Sequence, residues 1–210
     1  KQKPSRLRIG YFSADFSEHP VSFLFVKALE RHNREHFEIY AYSFGPERNG
    51  QMRQRIKNAV DVFVDVTKMS DRNIALLARQ DKIDIAIDLT GYTGGCRTGV
   101  FSYRAAPIQI NHLGYPGTTG AKFIDYIIAD QTLIPIENQP FYSEQPIYMP
   151  HCNICISSSI PASEITQPRS ELGLPEDGFV FCAINNTYKI TPSEFDIWMR
   201  LLKRVDGSVL

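Results

Sequence analysis

The sequence Asp-Leu-Thr-Gly-Tyr-Thr-Gly-Gly at residues 88–95 overlaps the end of a run rich in β-branched residues at 83–89. A buried strand is therefore predicted to end in a polar, glycine-rich loop. The same transition follows residues 8–13 and residues 108–113. Open α/β sheets bind ligands outside the carboxyl ends of their strands. Three strand ends that carry Gly, Pro, Thr and His therefore predict a binding site along one edge of a sheet.

Apolar segments of strand and helix type alternate along most of the chain. Strands are predicted at residues 7–12, 37–43, 60–66, 83–89, 108–113 and 126–129, and helices at 20–31, 49–59, 71–80 and 97–103. This alternation predicts an α/β fold with a doubly wound, mostly parallel sheet, of the Rossmann-like type. We assign residues 7–133 to this domain.

Residues 134–170 contain many prolines and serines and predict a linker. Residues 171–210 then begin a second lobe, with a strand at 179–184 and a helix at 192–204. Thr191, Pro192 and Glu194 form a capping-box start for that helix. Its apolar face consists of Phe195, Trp198, Leu201, Leu202 and Val205. The chain ends at what resembles the start of another strand, so we expect a truncated second lobe whose helix docks on the first lobe or self-associates.

Composition excludes several classes of protein. The 210 residues include 23 basic and 23 acidic side chains, which argues against a nucleic-acid-binding surface. No apolar run reaches the ~18 residues needed to cross a bilayer, and the basic start lacks an apolar secretory core. We therefore expect a cytoplasmic protein that binds neither membranes nor nucleic acids.

Four irregularly spaced cysteines do not form a disulfide framework, so reduced thiols are expected. Cys152 and Cys155 form a CxxC pair next to His151, which leaves redox or metal chemistry open as an alternative to ordinary small apolar residues. A structural zinc site needs four ligands, and no second pair exists. We therefore predict no metal site and no cofactor.

Two side chains near predicted helix starts are candidates for chemistry. His19 precedes the helix that begins at Pro20, where the positive end of the helix dipole disfavours an imidazolium. A neutral histidine in a cleft can act as a general base, but His19 is equally suited to cap the helix. Lys189 follows a predicted strand and precedes a helix. An ammonium group there suits a diphosphate leaving group, although a solvated surface lysine is the alternative.

The glycine-rich loops offer backbone amides and hydroxyls to a sugar or phosphate, or they are ordinary turns. They match neither GxGxxG nor GxxxxGK[ST]. Asp88 is either a ligand anchor or a cap for its loop. His112 is expected to be packed and hydrogen-bonded.

Taken together and in order, these segments resemble a known family. They include Leu-Arg-Ile-Gly-Tyr-Phe-Ser-Ala-Asp-Phe-Ser-Glu-His-Pro at 7–20, the 88–95 segment, Arg-Ala-Ala-Pro-Ile-Gln-Ile-Asn-His-Leu-Gly-Tyr-Pro-Gly-Thr-Thr-Gly at 104–120, Asp-Tyr-Ile-Ile-Ala-Asp at 125–130, Tyr-Ser-Glu at 142–144 and Asn-Asn-Thr-Tyr-Lys-Ile at 185–190. The chain is similar over 7–150 and 170–210 to the catalytic region of the protein O-GlcNAc transferases, of glycosyltransferase family 41.

The resemblance implies a two-lobed GT-B architecture, often preceded by tetratricopeptide repeats. It also implies inverting, metal-independent transfer of GlcNAc from UDP-GlcNAc to Ser or Thr of protein acceptors. His19 and Lys189 match the catalytic residues. The residues that match the donor- and acceptor-binding positions are Pro20, Asp88, Thr90, Gly91, Tyr92, Thr93, Gly114, Tyr115, Pro116, Gly117, Thr118 and Tyr188.

The chain departs from the family pattern in places. Tyr92 stands where some bacterial relatives have His, and residues 152–159 do not follow the expected sequence. We expect these 210 residues to lack most of the second lobe and the repeats that precede it in relatives. We therefore expect this chain alone to be inactive, because transition-state binding needs both walls of the cleft. Two alternatives remain: transfer of fucose from GDP-fucose, and a silent binding or scaffold module.

Overall fold

A computed structural model of the chain describes residues 6–46, 50–156 and 166–210. The chain divides into two compact units, Lys1–Ser158 and Ser159–Leu210, and each unit is described by itself. Residue 49, at the start of a predicted helix, and residues 157–165 of the predicted linker lie outside the described residues.

Within its described part, the first unit is built on one seven-stranded sheet in which every pairing is parallel. The strand order is β3-β2-β1-β4-β5-β6-β7. The strands are β1 (Leu7–Ser13), β2 (Phe37–Ser43), β3 (Val62–Asp65), β4 (Ile85–Asp88), β5 (Ile108–Asn111), β6 (Tyr126–Ala129) and β7 (Gln145–Tyr148). The predicted doubly wound parallel sheet is confirmed.

Helices lie between the strands: α1 (Pro20–Arg31), α2 (Gln51–Asn58), α3 (Asp71–Gln80) and the short α4 (Gly99–Ser102). Alternate residues of β1 enter two different cores. Phe12 stacks on Tyr42 at 4.5 Å in the core that includes Ile74 of α3. Tyr11 joins Phe25 of α1 in the other core. Since successive strand residues point to opposite faces, helices cover both faces of the sheet.

The sheet extends further than the sequence predicted. Residues 134–148 were assigned to a linker, but β7 pairs with β6 along four residues, and a 3₁₀ helix at Ile136–Phe141 precedes it. The short strand Gln-Pro-Ile-Tyr contains a proline, which is tolerated because β7 lies at the sheet edge. Its proline and its short length concealed it in the sequence.

The second unit contains 3₁₀ turns at Arg169–Leu172 and Thr187–Lys189, followed by α5 (Pro192–Arg204). The predicted capping box is confirmed, because Thr191 accepts a hydrogen bond from the Glu194 amide and Glu194 accepts one from the Thr191 amide. The predicted strand at 179–184 is wrong. Only Val180 forms a parallel bridge, with Val209, because the described part of this unit provides no longer partner strand.

No α5 side chain is buried. Trp198, Leu201 and Leu202 line an open groove of about 330 Å³ together with Phe181 and Leu210. Across the described ranges, no helix has the length and apolar character needed to cross a membrane.

Candidate active site

Three loops follow the carboxyl ends of three neighbouring strands. We call residues 14–19 the β1 loop, residues 89–98 the β4 loop and residues 112–120 the β5 loop. Strands β1, β4 and β5 are adjacent in the sheet, and parallel strands place their carboxyl ends at one edge. The predicted site residues between His19 and Thr118 therefore lie along the same edge.

The β4 loop contacts both of the other loops directly. The Ala14 amide donates to the Thr90 hydroxyl at 3.0 Å, which joins the β1 and β4 loops. Gly114 passes so close to the β4 loop that a methyl group there would overlap the Leu89 carbonyl oxygen. A glycine is required at this contact, since any side chain would push the two loops apart.

His19 is the N-cap of α1, as its position before Pro20 predicts. Its Nδ1 accepts a hydrogen bond from the Val21 amide at 3.3 Å, and its side chain is 43% exposed. A ring that accepts at Nδ1 carries its neutral-state proton on Nε2. The same Nδ1 lies 3.6 Å from Asp15 Oδ1, so the ring has a second possible partner for that nitrogen. Nδ1 can therefore either accept from the Val21 amide as a helix cap or carry a proton that faces Asp15.

Asp15 has a carboxylate that is largely removed from water, with 14% of its side chain exposed. Burial raises its pKa, while the charge of His19 acts in the opposite direction. The Asp15 carbonyl oxygen accepts from the Ser22 hydroxyl at 2.5 Å, which fixes the backbone beside His19. An anion in this position favours a proton on the facing imidazole nitrogen.

Asp88 caps its own loop. Its Oδ1 accepts from the amides of Thr90 and Gly91 at 2.9 and 3.0 Å, and the residue is 3% exposed. Burial raises the pKa of this carboxyl, and the two backbone hydrogen bonds oppose the increase. Of the two sequence interpretations, the geometry favours the loop cap. The Thr90 side chain is buried as well, so neither residue reaches solvent.

The exposed part of the edge is aromatic and glycine-rich. Tyr92 is 47% exposed, and its ring meets Tyr115 at a centroid distance of 5.6 Å. Thr93 and Pro116 are also exposed, and Pro20 lies beside His19 at the start of α1. These groups and the backbone of Gly117 are the ones a ligand can reach.

Thr118 has no free hydrogen-bonding capacity at its hydroxyl. The hydroxyl donates to Glu144 at 2.7 Å and accepts from the amides of Gly120 and Ser143, each at 3.1 Å. A threonine hydroxyl has one proton and two lone pairs, and all three are used. Its side chain therefore holds the loop and leaves only the backbone for a ligand.

Lys189 and Tyr188 belong to the second unit, in the 3₁₀ turn just before α5. The Lys189 ammonium lies 5.9 Å from the centroid of the Tyr188 ring, and both side chains are exposed. Lys189 precedes the start of α5, as predicted, but the strand that was predicted before it at 179–184 is not formed.

His112 is packed, as expected. Its Nε2 lies 3.0 Å from the Asn153 carbonyl oxygen, its ring contacts Phe25 edge-on, and burial lowers its pKa. Asn153 lies inside the CxxC pair. Burial raises the pKa of Cys155, which disfavours a reactive thiolate. Among the described residues, no group of three or more His, Cys, Asp or Glu side chains is placed to hold a metal ion.

Comparisons with known proteins identify the family of the chain. The model of glycosyl transferase family 41 matches residues 1–156 and 152–210. The chain belongs to glycosyl transferase family 41. The structure of this family 41 chain resembles a lysine-to-methionine mutant of the Thermobaculum terrenum O-GlcNAc transferase, with a TM-score of 0.85 and 30% identity, covering 97% of this chain and 38% of that one.

Curated relatives include the probable UDP-N-acetylglucosamine–peptide N-acetylglucosaminyltransferase SEC of Arabidopsis thaliana, which is 41% identical over 98% of the family 41 chain. The Caenorhabditis elegans UDP-N-acetylglucosamine–peptide N-acetylglucosaminyltransferase is 39% identical over 71% of it. The chain spans 22% of the plant protein and 13% of the nematode protein.

Sequence reasoning missed three buried polar residues that shape the site of this family 41 chain. Asn111 donates from Nδ2 to the Tyr115 carbonyl oxygen at 2.9 Å. Its place in Ile-Gln-Ile-Asn, polar at alternate positions of an apolar strand, was a usable signal. Glu144 holds the β5 loop and Arg53 holds the β1 loop. Both contact residues more than 20 positions away, so no local pattern could have identified them.

Proposed function

We propose that the full-length protein to which this chain belongs is an inverting glycosyltransferase that moves GlcNAc from UDP-GlcNAc to Ser or Thr hydroxyls of proteins. The observation that carries the proposal is that the loops of His19, Tyr92 and Tyr115 all follow the carboxyl ends of adjacent strands, in a chain whose relatives are named as UDP-N-acetylglucosamine–peptide N-acetylglucosaminyltransferases. In open α/β sheets that edge is where ligands bind.

The proposed chemistry begins at His19. A hydroxyl proton moves to Nε2 in the tautomer whose Nδ1–H faces Asp15, and the Asp15 carboxylate then stabilises the imidazolium. The acceptor oxygen forms its bond to the anomeric carbon on the side opposite the diphosphate. The bond to the diphosphate oxygen breaks, and its electron pair leaves with UDP.

Lys189 is proposed to neutralise the charge that develops on the departing diphosphate. An exposed ammonium next to the start of α5 suits this role, because helix N-termini and cations both stabilise phosphate groups. The exposed Tyr92 ring and the half-buried Tyr115 ring are proposed to flank the sugar or the acceptor side chain.

The test is Lys189→Ala in the full-length protein. Loss of one preorganised charge typically lowers the rate by ~10²–10³, so we expect turnover of UDP-GlcNAc to fall by this factor while thermal unfolding is unchanged. Lys203→Ala, an exposed lysine of α5, is the matched control and should retain full activity. Turnover by Lys189→Ala within threefold of wild type would contradict the role of Lys189.

Donor identity is tested by titration calorimetry with UDP-GlcNAc, GDP-fucose and UDP. Tighter binding of the uridine ligands supports the proposal. Tighter binding of GDP-fucose would mean that GDP-fucose is the donor. Donor binding without transfer to any peptide would identify a silent binding module instead.

A further inference from the structure

Glu144 is a buried anion at the start of the edge strand β7. It is 2% exposed, and its two carboxylate oxygens accept from four donors. Oε2 accepts from the hydroxyls of Thr118 at 2.7 Å and Ser143 at 3.1 Å, and Oε1 accepts from the Thr119 amide at 2.7 Å and from the Thr119 hydroxyl. Three of these four donors belong to the β5 loop.

The charge of Glu144 is held by neutral groups. Among the ion pairs of the described residues, none includes Glu144. Burial alone would raise its pKa, but the hydrogen bonds from Thr119 and Thr118 hold the pKa below its ordinary value. The side chain is thus a carboxylate at neutral pH, and hydrogen bonds to a charged acceptor are about twice as strong as neutral ones.

The loop that Glu144 holds has a strained backbone. The strain lies at Leu113, near the beginning of the β5 loop, which has a φ of 70°. A bulky, non-glycine residue is strained in this region and persists there only when its surroundings enforce the conformation. Two further hydrogen bonds help to hold this loop conformation. Asn111 donates to the Tyr115 carbonyl oxygen, and the Tyr142 hydroxyl donates to the Pro116 carbonyl oxygen at 3.1 Å.

We propose that Glu144 is a positioning residue, whose carboxylate fixes the conformation in which the β5 loop presents Tyr115, Pro116 and Gly117 to the nucleotide sugar. The proposal rests on the proposed function of that loop. Glu144 acts through Thr118 and Thr119 and does not itself touch the ligand, since it is buried beneath them.

The informative substitution is Glu144→Gln, which keeps the shape. The new amide oxygen can still accept from Thr119, but the new NH₂ group faces the hydroxyls of Thr118 and Ser143, which both donate to the Glu144 carboxylate. Both lone pairs of the Thr118 hydroxyl already accept, from Gly120 and Ser143, so the NH₂ group finds no free acceptor there. The loop must therefore shift to relieve the contact.

Asp130→Asn is the matched control. Asp130 is also a buried carboxylate at a strand end, 7% exposed, and accepts from the amides of Thr132, Leu133 and Asn153. None of these donors lies in the β5 loop. Both substitutions remove one buried negative charge, so they separate general destabilisation from misplacement of the loop.

The experiment compares these variants in the full-length protein. For Glu144→Gln we expect the Kd and KM for UDP-GlcNAc to rise roughly 10-fold with a smaller change in kcat, since displacing a binding group by about 1 Å costs up to ~10². Asp130→Asn should lower the unfolding temperature and leave both constants unchanged. Thr118→Val, a milder change, should reproduce part of the Glu144→Gln effect and add little to it in the double variant.

Amide hydrogen exchange supplies a readout that needs no ligand. Exchange at residues 113–120 should accelerate in Glu144→Gln and Thr118→Val and stay at the wild-type rate in Asp130→Asn. Unchanged exchange in this segment, or unchanged Kd and KM in a binding-competent protein, overturns the role of Glu144. A wild-type protein that binds no nucleotide sugar overturns the proposed function instead, and the exchange data still decide whether Glu144 positions the loop.

Discussion

The β1 and β5 loops both follow the carboxyl ends of their strands, but side chains of opposite charge hold them. Arg53 of α2, 3% exposed, donates to the Phe16 carbonyl at 3.2 Å and pairs with Asp65 at 2.9 Å. Glu144, 2% exposed, holds the β5 loop through neutral donors. Arg53 belongs to α2 and Glu144 directly precedes β7, so each charged group lies outside the loop that it holds. The exposed positions of each loop are thereby left free for a ligand.

The two loops also differ in what supports them. The β1 loop makes a second contact with α2, because the Glu18 carboxylate accepts a hydrogen bond from the Met52 amide in the first turn of that helix. An anion at a helix N-terminus is favourable. The β5 loop is held mainly by side-chain hydrogen bonds: Asn111 and Tyr142 donate to its carbonyl oxygens, and Glu144 accepts from Thr118 and Thr119.

The largest expected effect on stability comes from two glycines at close backbone contacts. Gly45 lies against the β1 loop, and Gly114 of the β5 loop lies against the β4 loop. A methyl group at Gly45 would overlap the Ala14 carbonyl oxygen, and one at Gly114 would overlap that of Leu89. Because backbone must move in each case, we expect Gly45→Ala and Gly114→Ala to lower the free energy of unfolding by about 3 kcal/mol each. Urea titration measures the change.

Gly94→Ala is the matched control, because nothing lies within 4 Å of its added methyl group. It should be neutral or stabilising by up to about 1 kcal/mol. If all three variants were equally stable, the two loops would not be packed as described.

The next effect separates a buried from an exposed arginine on the same helix. The Arg53 side chain is 4% exposed, whereas that of Arg55, which pairs with Glu30, is 45% exposed. Arg53→Met removes charged hydrogen bonds to Phe16, Ser43 and Asp65, so we expect a loss of about 2 kcal/mol. Arg55→Met should cost at most about 0.5 kcal/mol, and that cost should vanish at high salt. Equal losses of stability in the two variants would contradict the role of Arg53 in holding the β1 loop.

Local features of the site could be predicted from the sequence, and distant contacts could not. The His19–Pro20 start of α1 and the capping box at Thr191 are set by a few neighbouring residues, and both are present. The strand ends were found because buried parallel strands read as apolar runs. Arg53 and Glu144 are different, because a charged residue in a sequence looks the same whether solvent or a loop 25 residues away satisfies it. The strand predicted at 179–184 failed for a related reason, since an apolar run becomes a strand only beside a partner.

The smallest effect, and the one that most sharpens the comparison, is the pH dependence of the two loop carboxylates. Glu144 has its pKa held below the ordinary 4.5, so its ionised form stabilises the fold above pH 4.5, and this stability is lost as the pH falls through the folded value. Asp15 has its pKa raised above 3.8 by burial, with His19 opposing, so the fold loses stability as the pH rises through the raised value. Among the described residues, His19 is the side chain that faces the Asp15 carboxylate, at 3.6 Å.

Glu144→Gln should therefore be less stable than wild type at pH 7, and Asp15→Asn at least as stable as wild type. Both differences should shrink from opposite sides: that of Asp15→Asn as the pH falls through the raised pKa of Asp15, and that of Glu144→Gln as the pH falls below 4.5. Thermal unfolding of the three proteins between about pH 3 and pH 7 measures them. A destabilised Asp15→Asn at pH 7 would mean that the charge of Asp15 is well solvated or paired. A stabilised one would mean that the β1 loop keeps a poorly satisfied anion next to His19 at a cost in stability, as is common where a side chain takes part in chemistry.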